Sequence, residues 1–454
     1  MAGNILTEDS GIHRPPHRSA GWRNWLVASL LAVCYTFSYL DRQVISLLIE
    51  PVKASLHITD TQFGLLQGIS FSLFYVAASL PLAWLADRTR RSRLMSACVT
   101  FWSLMTMACA FAGNFWQMLL ARIGVAAGES GLPPAALSTL AERFDSRRLA
   151  TATSMFMLAP FVGGGLALAG GGALYAAVGR WDRSGLSFLS GLADWQWVFL
   201  IVGAPGLIAA LLLLLIRDRK PVFQNREEKD KGELLRFFRA EWRVVIVYSL
   251  AIGLLMTVLA SYVTWLPAAI MRSKGVDEAT MGTLFGPIYL LAGATGTLSA
   301  GVILSMWGGS DPARAVFRYM ILMLGLLWPI ATFGLLGSSL YLEMALMGVA
   351  LFLLSSVTAL SSLPFQFVTP KHLRAQALAV MAAIAALFGT GMGPILAGLT
   401  SDNLQGVTHP MSVSLSIIAG LVIPCVIGLI FYAMRHHAIS RLDLRFATTR
   451  ADGE

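Results

Sequence analysis

The sequence predicts an all-α membrane protein, with twelve transmembrane helices in two six-helix, pseudo-symmetric bundles and both termini in the cytoplasm. Three observations carry that prediction. Of 454 residues, 56% are hydrophobic and only 13% are charged, whereas soluble domains carry about 25% charged residues. Apolar stretches follow one another with short polar gaps, at 24–50, 62–86, 93–112, 115–139, 149–178, 195–216, 243–271, 280–306, 315–337, 341–367, 374–401 and 411–436. Each is long enough to cross ~30 Å of hydrocarbon as a helix. The basic residues also segregate. With the N-terminus inside, 27 of the 34 Lys and Arg fall in inner tails and loops, five (Lys53, Arg180, Arg183, Arg272 and Lys274) in outer loops, and two (Arg42 and Arg122) within spans. This is the positive-inside bias, and one span more or fewer would scramble it.

Taken in order, residues 1–23 form a cytoplasmic tail. Their His, Arg and Pro content without a small-residue cleavage site argues against a cleavable signal peptide. Residues 24–216 make the first bundle. The charged stretch 217–242, with Arg217, Asp218, Arg219, Lys220, Glu227, Glu228, Lys229 and Lys231, divides the chain near its middle. Within it, Gly232 to Arg243 fits either an amphipathic helix on the inner membrane surface or a solvated linker. Residues 243–437 make the second bundle and 438–454 a cytoplasmic tail. The fifth span reads Ala159-Pro160-Phe161-Val162-Gly163-Gly164 and the eleventh Gly393-Pro394-Ile395-Leu396-Ala397-Gly398. Matching breaks at the fifth span of each half are what a repeat-built carrier requires. Pro160, Gly163, Gly164, Gly393 and Pro394 are therefore candidate gating positions.

Composition also excludes function classes. The net charge of +9 follows from the positive-inside bias, so nucleic acid is not an expected partner. Cys34, Cys98, Cys109 and Cys425 sit in apolar spans without CxxC spacing and read as buried packing residues, and no metal site is expected. No Walker A or HExxH sequence occurs. Gly128-Glu129-Ser130-Gly131 falls short of a hydrolase elbow because Leu132 takes the place of the last glycine. The chain is thus not expected to be an enzyme or to hold a cofactor. No filter-like loop suggests a channel, and a two-half layout favours alternating access. The expected protein is a monomeric, multi-pass carrier of the cell (inner) membrane, with membrane lipids, protons and an anionic substrate as partners.

Four charged residues lie well inside spans: Asp41 and Arg42 in the first, Arg122 and Glu129 in the fourth. Each costs at least ~2.5–3.5 kcal/mol at the bilayer centre. Taking Glu50 as the outer end of the first span puts Asp41 ~13 Å deep. Taking Phe115 as the outer end of the fourth puts Arg122 ~10 Å deep, so the two are placed to pair. Glu129 then lies ~10 Å deeper on much the same helix face. Two readings fit. The groups form a proton relay through Asp41 and Glu129 beside an anion site at Arg42 and Arg122, or they form a static buried ion pair that fixes helix packing.

The loop Ala83-Trp84-Leu85-Ala86-Asp87-Arg88-Thr89-Arg90-Arg91 resembles the signature G-x-L-A-D-R-x-x-R of the major facilitator superfamily, with Ala83 in place of the usual glycine. The resemblance implies the major facilitator fold, and for Asp87, Arg88 and Arg91 a gating role that holds the halves together on the cytoplasmic side in the outward-open state. Within the superfamily the chain is most similar to Spinster-type transporters. The likeness rests on Tyr39-Leu40-Asp41-Arg42, Arg122, Gly128-Glu129-Ser130, Glu142-Arg143-Phe144, Asp194-Trp195-Gln196-Trp197, Gly391-Met392-Gly393-Pro394 and Ser401-Asp402. It departs where that family usually has Glu-Ala, since Ser130 follows Glu129. Gly308 to Arg314 carries only a faint second copy of the loop signature. The resemblance implies a proton-coupled secondary transporter of lysophospholipids or sphingosine-phosphate-like lipids. Tyr-x-Asp-Arg and the seven-residue Arg-to-Glu spacing also occur in symporters of sugar acids, so a small-organic-anion symporter remains the alternative.

Span charges are confined to the first half, with Glu343 only at the outer boundary of the tenth span. The second half offers Tyr262, Trp265, Tyr289, Phe365 and Gln366 near Pro267, Pro287 and Pro364. The expected substrate is an amphipathic anion. Its head would meet Arg42 and Arg122, and its apolar part would lean on the second half, at Tyr262, Trp265, Tyr289 and Gln366, while Tyr39 in the first span, two residues from Asp41, is a further binding candidate.

Overall fold

The computed structural model describes residues 21–86, 88–181, 191–217, 231–306, 311–337, 339–370, 373–404 and 406–451, and among them the regular secondary structure is all helical. The first half opens with α1 (Trp22–Leu47), which runs with one irregular residue, Leu48, into α2 (Ile49–Leu56). His57 in the left-handed conformation ends that run. A capping box between Thr59 and Gln62 starts α3 (Asp60–Gln67), and Gly68 separates it from α4 (Ile69–Ala86). Helices α5 (Arg91–Cys109), α6 (Phe115–Glu129), α7 (Leu132–Arg143), α8 (Ser146–Met157), α9 (Ala159–Gly179) and α10 (Asp194–Leu214) follow. Asn114 and Asp145 cap α6 and α8 through their side chains, while α7 and α9 begin with proline in the first turn, where a missing N–H costs nothing.

Helix α11 (Lys231–Ala240) lies in the stretch between the halves. Its Leu234 and Phe238 pack on the core while Leu235, Arg236 and Arg239 are exposed. The second half comprises α12 (Trp242–Lys274), α13 (Glu278–Met306), α14 (Pro312–Phe333), α15 (Leu340–Leu360), α16 (Leu363–Val368), α17 (Arg374–Ile384), α18 (Met392–Asn403) and α19 (Pro410–Ala451). A π-helical stretch, Ala385–Thr390, joins α17 to α18. The boundary expected at 437 falls inside α19, which continues to Ala451.

Among the described residues, nine helices are long and apolar enough to cross a membrane. The three further spans expected from sequence run through α1, α5 and α6. These helices carry Asp41 and Arg42, Arg91 and Arg93, and Arg122 and Glu129, and α6 ends after 15 residues. One other expectation is corrected: Cys425 is exposed, unlike the buried Cys34, Cys98 and Cys109. Glu343 lies in the first turn of α15, at the boundary of its span, where it is 1% exposed and pairs with Lys274 at 2.9 Å.

The halves meet along two seams, α9 on α13 and α3 on α18. Both are built on glycine, which lets helix backbones approach closely. A Cβ on Gly282 would stand 2.2 Å from the Leu168 carbonyl oxygen, and one on Gly398 2.3 Å from that of Asp60. The seams lie toward the end that holds Asp60, Gly172, Glu278 and Asp402. One continuous core joins the second half to first-half residues Val44 to Leu66 and Cys109 to Ala121, whereas Ala28, Met95, Leu140 and Leu213 belong to a separate core at the opposite end. The molecule is thus closed between its halves at the Asp60 end. Replacing Gly398 with leucine pushes a side chain into the α3 backbone, at a cost of about 1–3 kcal/mol. Thermal unfolding in detergent should show a lowered Tm for Gly398→Leu, with Gly428→Leu, where nothing lies within 4 Å of an added Cβ, left unchanged.

Candidate functional site

Tyr39, Arg42 and Gln43 stand at i, i+3 and i+4 on α1, and so share one face. That face lines a cavity of about 270 Å³ between the halves. The first half contributes these three residues together with Gln67, Phe71, Ser72, Pro160 and Phe161. The second half contributes an opposite wall that carries no charge, including Leu259, Val263 and Thr264 of α12, Tyr289 of α13, Ser355 and Thr358 of α15, and Thr390 of the π-helical stretch. Gln43 bridges the halves through its amide, donating to the Val263 carbonyl at 2.8 Å, and the Ser72 and Thr390 hydroxyls meet at 3.2 Å.

The charged wall is layered. The Arg42 side chain is 27% exposed and bonds to Glu129, whose side chain is fully buried behind it. The rings of Tyr39, Phe71 and Tyr75 surround the Arg42 guanidinium, with centroids at 4.9, 4.5 and 5.4 Å, a geometry in which ring quadrupoles attract the cation. Arg122 is 1% exposed and donates through Nη2 to Gln67 Oε1 at 2.5 Å. Asp41, 2% exposed, accepts from the Thr106 hydroxyl at 3.1 Å. Asp41 Oδ1, Glu129 Oε1, Arg42 Nε and Arg122 Nε and Nη1 have no hydrogen-bond partner among the described residues.

The four intramembrane charges therefore cluster, but not in the expected pairs. No hydrogen bond or ion pair joins Asp41 to Arg122 among the described residues, and Arg42 holds Glu129 instead. Helix length explains the difference. The chain stays helical past Glu50 to Leu56, so Arg42 lies ~22 Å from His57, level with Glu129 at ~21 Å from Phe115.

The other candidates divide. Tyr39 and Tyr289 line the cavity. Tyr262 and Trp265 do not, contrary to expectation. Tyr262 donates to the Ala331 carbonyl at 2.5 Å and Trp265 Nε1 to that of Pro394 at 2.9 Å, so both pack into the second half. Gln366 sits on α16 and donates to the Ser362 hydroxyl, likewise outside the cavity wall. Pro160 and Pro394 line the cavity. A Cβ on Gly163 would lie 2.4 Å from the Thr36 carbonyl of α1, and one on Gly393 2.5 Å from the Thr257 carbonyl of α12, so each packs on the first helix of its own half. Gly164 faces the Tyr289 ring across the seam. Asp87 lies outside the described residues. Arg88 covers the Trp84 ring at 3.6 Å, and Arg91 pairs with Glu142 at 2.5 Å. Both contacts lie within the first half.

A second polar cluster closes the Asp60 end and was not anticipated. Arg272 of α12 forks onto Asp60 at 2.7 and 2.8 Å and reaches Glu50 at 2.7 Å. Lys53 and Ser401 also donate to Asp60. Asp402 accepts from the backbone N–H of Asp60 and Thr61 at 3.2 and 2.8 Å, so α18 supplies a carboxylate to the positive end of α3. The capping box at Thr59 was the available sequence signal. The partners from the other half, however, are over 200 residues away.

Residues 31–394 match the model of the Major Facilitator Superfamily. The chain is 28% identical over 385 residues to an "MFS-type efflux pump" of Mycolicibacterium smegmatis, covering 84% of this chain and 85% of that protein. It is 24% identical over 428 residues to the "Sphingosine-1-phosphate transporter SPNS2" of Xenopus tropicalis, covering 87% and 78%. The fold is similar to the crystal structure of a bacterial homologue of the human lysosomal transporter Spinster, inward-facing and unoccupied. There the TM-score is 0.75 at 25% identity, over 91% of this chain and 95% of that one.

Proposed function

Given that the chain belongs to the Major Facilitator Superfamily, whose matching members are transporters and not enzymes, we propose that it carries an amphipathic anion by proton-coupled alternating access. The substrate class is a lysophospholipid or a sphingosine-phosphate-like lipid. Twelve crossings with both termini in the cytoplasm, in the inner membrane, accord with the segregation of Lys and Arg. On that topology the Asp60 end is the outer one, and the geometry is that of an inward-facing carrier. A monomer accords with a cavity whose lining residues come from both halves of one chain.

The observation that carries this reading is the layering of Arg42 in front of Glu129. An anionic head that reaches the cavity wall competes for the same guanidinium that stabilises the buried carboxylate. When Arg42 turns to the substrate, Glu129 loses its partner in a low-dielectric site, and the neutral, protonated form becomes the favourable one. Substrate occupancy and proton occupancy are thereby coupled, with Asp41 beside Arg122 as the second proton carrier. Tyr39 and Tyr289 flank the substrate, and the apolar and hydroxyl wall of the second half takes its tail. Pro160, Gly163, Gly164, Gly393 and Pro394 serve as the flexible contacts of the moving helices, and Arg88 and Arg91, with Asp87, as the inner gate. The name of the SPNS2 relative supports a lipid phosphate; that of the mycobacterial relative supports export.

Purified protein in liposomes should move lysophosphatidic acid down an imposed pH gradient. Asp41→Asn and Glu129→Gln should each cut gradient-driven flux more than tenfold. Unchanged coupling in both variants would reject the relay. In a thermal-shift panel, stabilisation by lysolipids supports the lipid reading, and stabilisation by glucuronate or similar sugar acids alone supports the small-anion alternative.

A further inference from the structure

We infer that Gln67 governs access of the substrate's charged head to Arg122, occupying in the empty carrier the place an anionic oxygen takes in the loaded one. The inference rests on the reading of Arg42 and Arg122 as the anion's ligands.

Arg122 does not itself line the cavity, and Gln67 stands between the two. Its amide is held from both ends. The oxygen accepts from Arg122 Nη2, and Nε2 donates to the Arg42 backbone carbonyl at 3.2 Å. Guanidinium only donates and a carbonyl only accepts, so these two partners allow one amide orientation. Gln67 thus presents a neutral acceptor to a buried cation that, among the described residues, has two further nitrogens without partners. An amide oxygen carries only a partial charge. A phosphate or carboxylate oxygen makes a shorter, charge-assisted bond that is roughly twice as strong, and can engage more than one donor. Exchange of the amide for an anion at Arg122 is therefore favourable, and exchange for a neutral head is not. Gln67 sets selectivity by charge.

Its place in the chain ties this exchange to the conformational change. Gln67 is the last residue of α3, next to the break at Gly68. A Cβ on Gly64 would lie 2.4 Å from the Pro394 carbonyl oxygen, so α3 is held against α18 of the other half. Movement of α18 away from the first half pulls on the segment that carries Gln67, and so changes the cover over Arg122.

The test measures binding of two lipids with one acyl chain, anionic lysophosphatidic acid and uncharged monoacylglycerol, to the full-length chain in detergent. Gln67→Ala should tighten lysophosphatidic acid binding about tenfold, the worth of one charge-assisted hydrogen bond, and leave monoacylglycerol unchanged. Gln67→Glu supplies Arg122 with a permanent carboxylate and should weaken lysophosphatidic acid binding about tenfold or more, again sparing monoacylglycerol. Gln67→Asn is too short to hold the same bond and should behave as alanine, which keeps the test informative if the alanine variant does not fold. Shifts of one sign in all variants, or equal shifts for both lipids, would show a packing role and overturn the inference. If Arg42→Ala and Arg122→Ala abolish lysophosphatidic acid binding while the Gln67 variants keep the wild-type charge preference, this inference alone fails. If the unmodified chain binds no anionic lipid, the proposed function and this inference fall together.

Discussion

Replacing Arg42 with alanine should abolish pH-gradient-driven transport and lower the Tm, and replacing Arg42 and Glu129 together with leucine should restore the Tm without restoring transport. The two parts have different causes. Arg42→Ala strands the Glu129 carboxylate, whose side chain is fully buried, and removing one partner of a buried pair costs about 3–5 kcal/mol. The double variant removes both charges, and an apolar pair of similar volume is often neutral or stabilising in such a place. The stability losses are therefore expected to be strongly non-additive. Transport follows a different logic, since the proposed mechanism needs a group that exchanges a proton and a cation that meets the anion. Thermal unfolding and liposome flux, measured on both single variants and the double, separate the two meanings of the pair. A double variant that transports normally would establish the pair as a packing device and remove the coupling mechanism.

Breaking the cluster at Asp60 should open the cavity toward the Asp60 side. Arg272 supplies three of its hydrogen bonds and is 20% exposed on its side chain, against 5% for Asp60. The bonds join the halves only while this end is shut, so they contribute to one conformation and not to the other. A ligand or contact shifts a two-state equilibrium by its differential energy. With solvent screening at the partly exposed arginine, about 2 kcal/mol is a reasonable share for the fork, or about 30-fold in population. Ser355 on the cavity wall gives a site for the measurement. In a chain carrying Ser355→Cys and Cys425→Ser, an impermeant thiol reagent applied from the Asp60 side should react more than tenfold faster when Arg272 is alanine. Unaltered labelling would mean that the glycine seams alone hold this end closed.

Asp41, Arg42, Arg122 and Glu129 were legible because charge in an apolar run is expensive, and nothing in the composition hides it. Their partners were not. Pairing across helices depends on where each helix ends, and a single irregular residue at Leu48, followed by another two turns of helix, was enough to move Arg42 level with Glu129. Gln67 and the hydroxyls of Ser72, Ser355, Thr358 and Thr390 went unnoticed because uncharged polar residues are tolerated in membrane helices and carry no comparable signal.

The second half shows the same boundary from the other side. Tyr262 and Trp265 lie three residues apart and do share a face of α12, but that face turns toward α14 and α18, while Leu259, Val263 and Thr264 line the cavity. Local sequence dictates helix and apolarity, because both follow from backbone hydrogen bonding and transfer energy along a short stretch of chain. The rotation of a helix about its axis, and the long-range contact of Asp60 with Arg272, Ser401 and Asp402, are set by packing between segments over 200 residues apart. Membrane character and the costly charges could be read from the chain. Which charges pair, which end is shut and which residue covers Arg122 came from assembly of the helices.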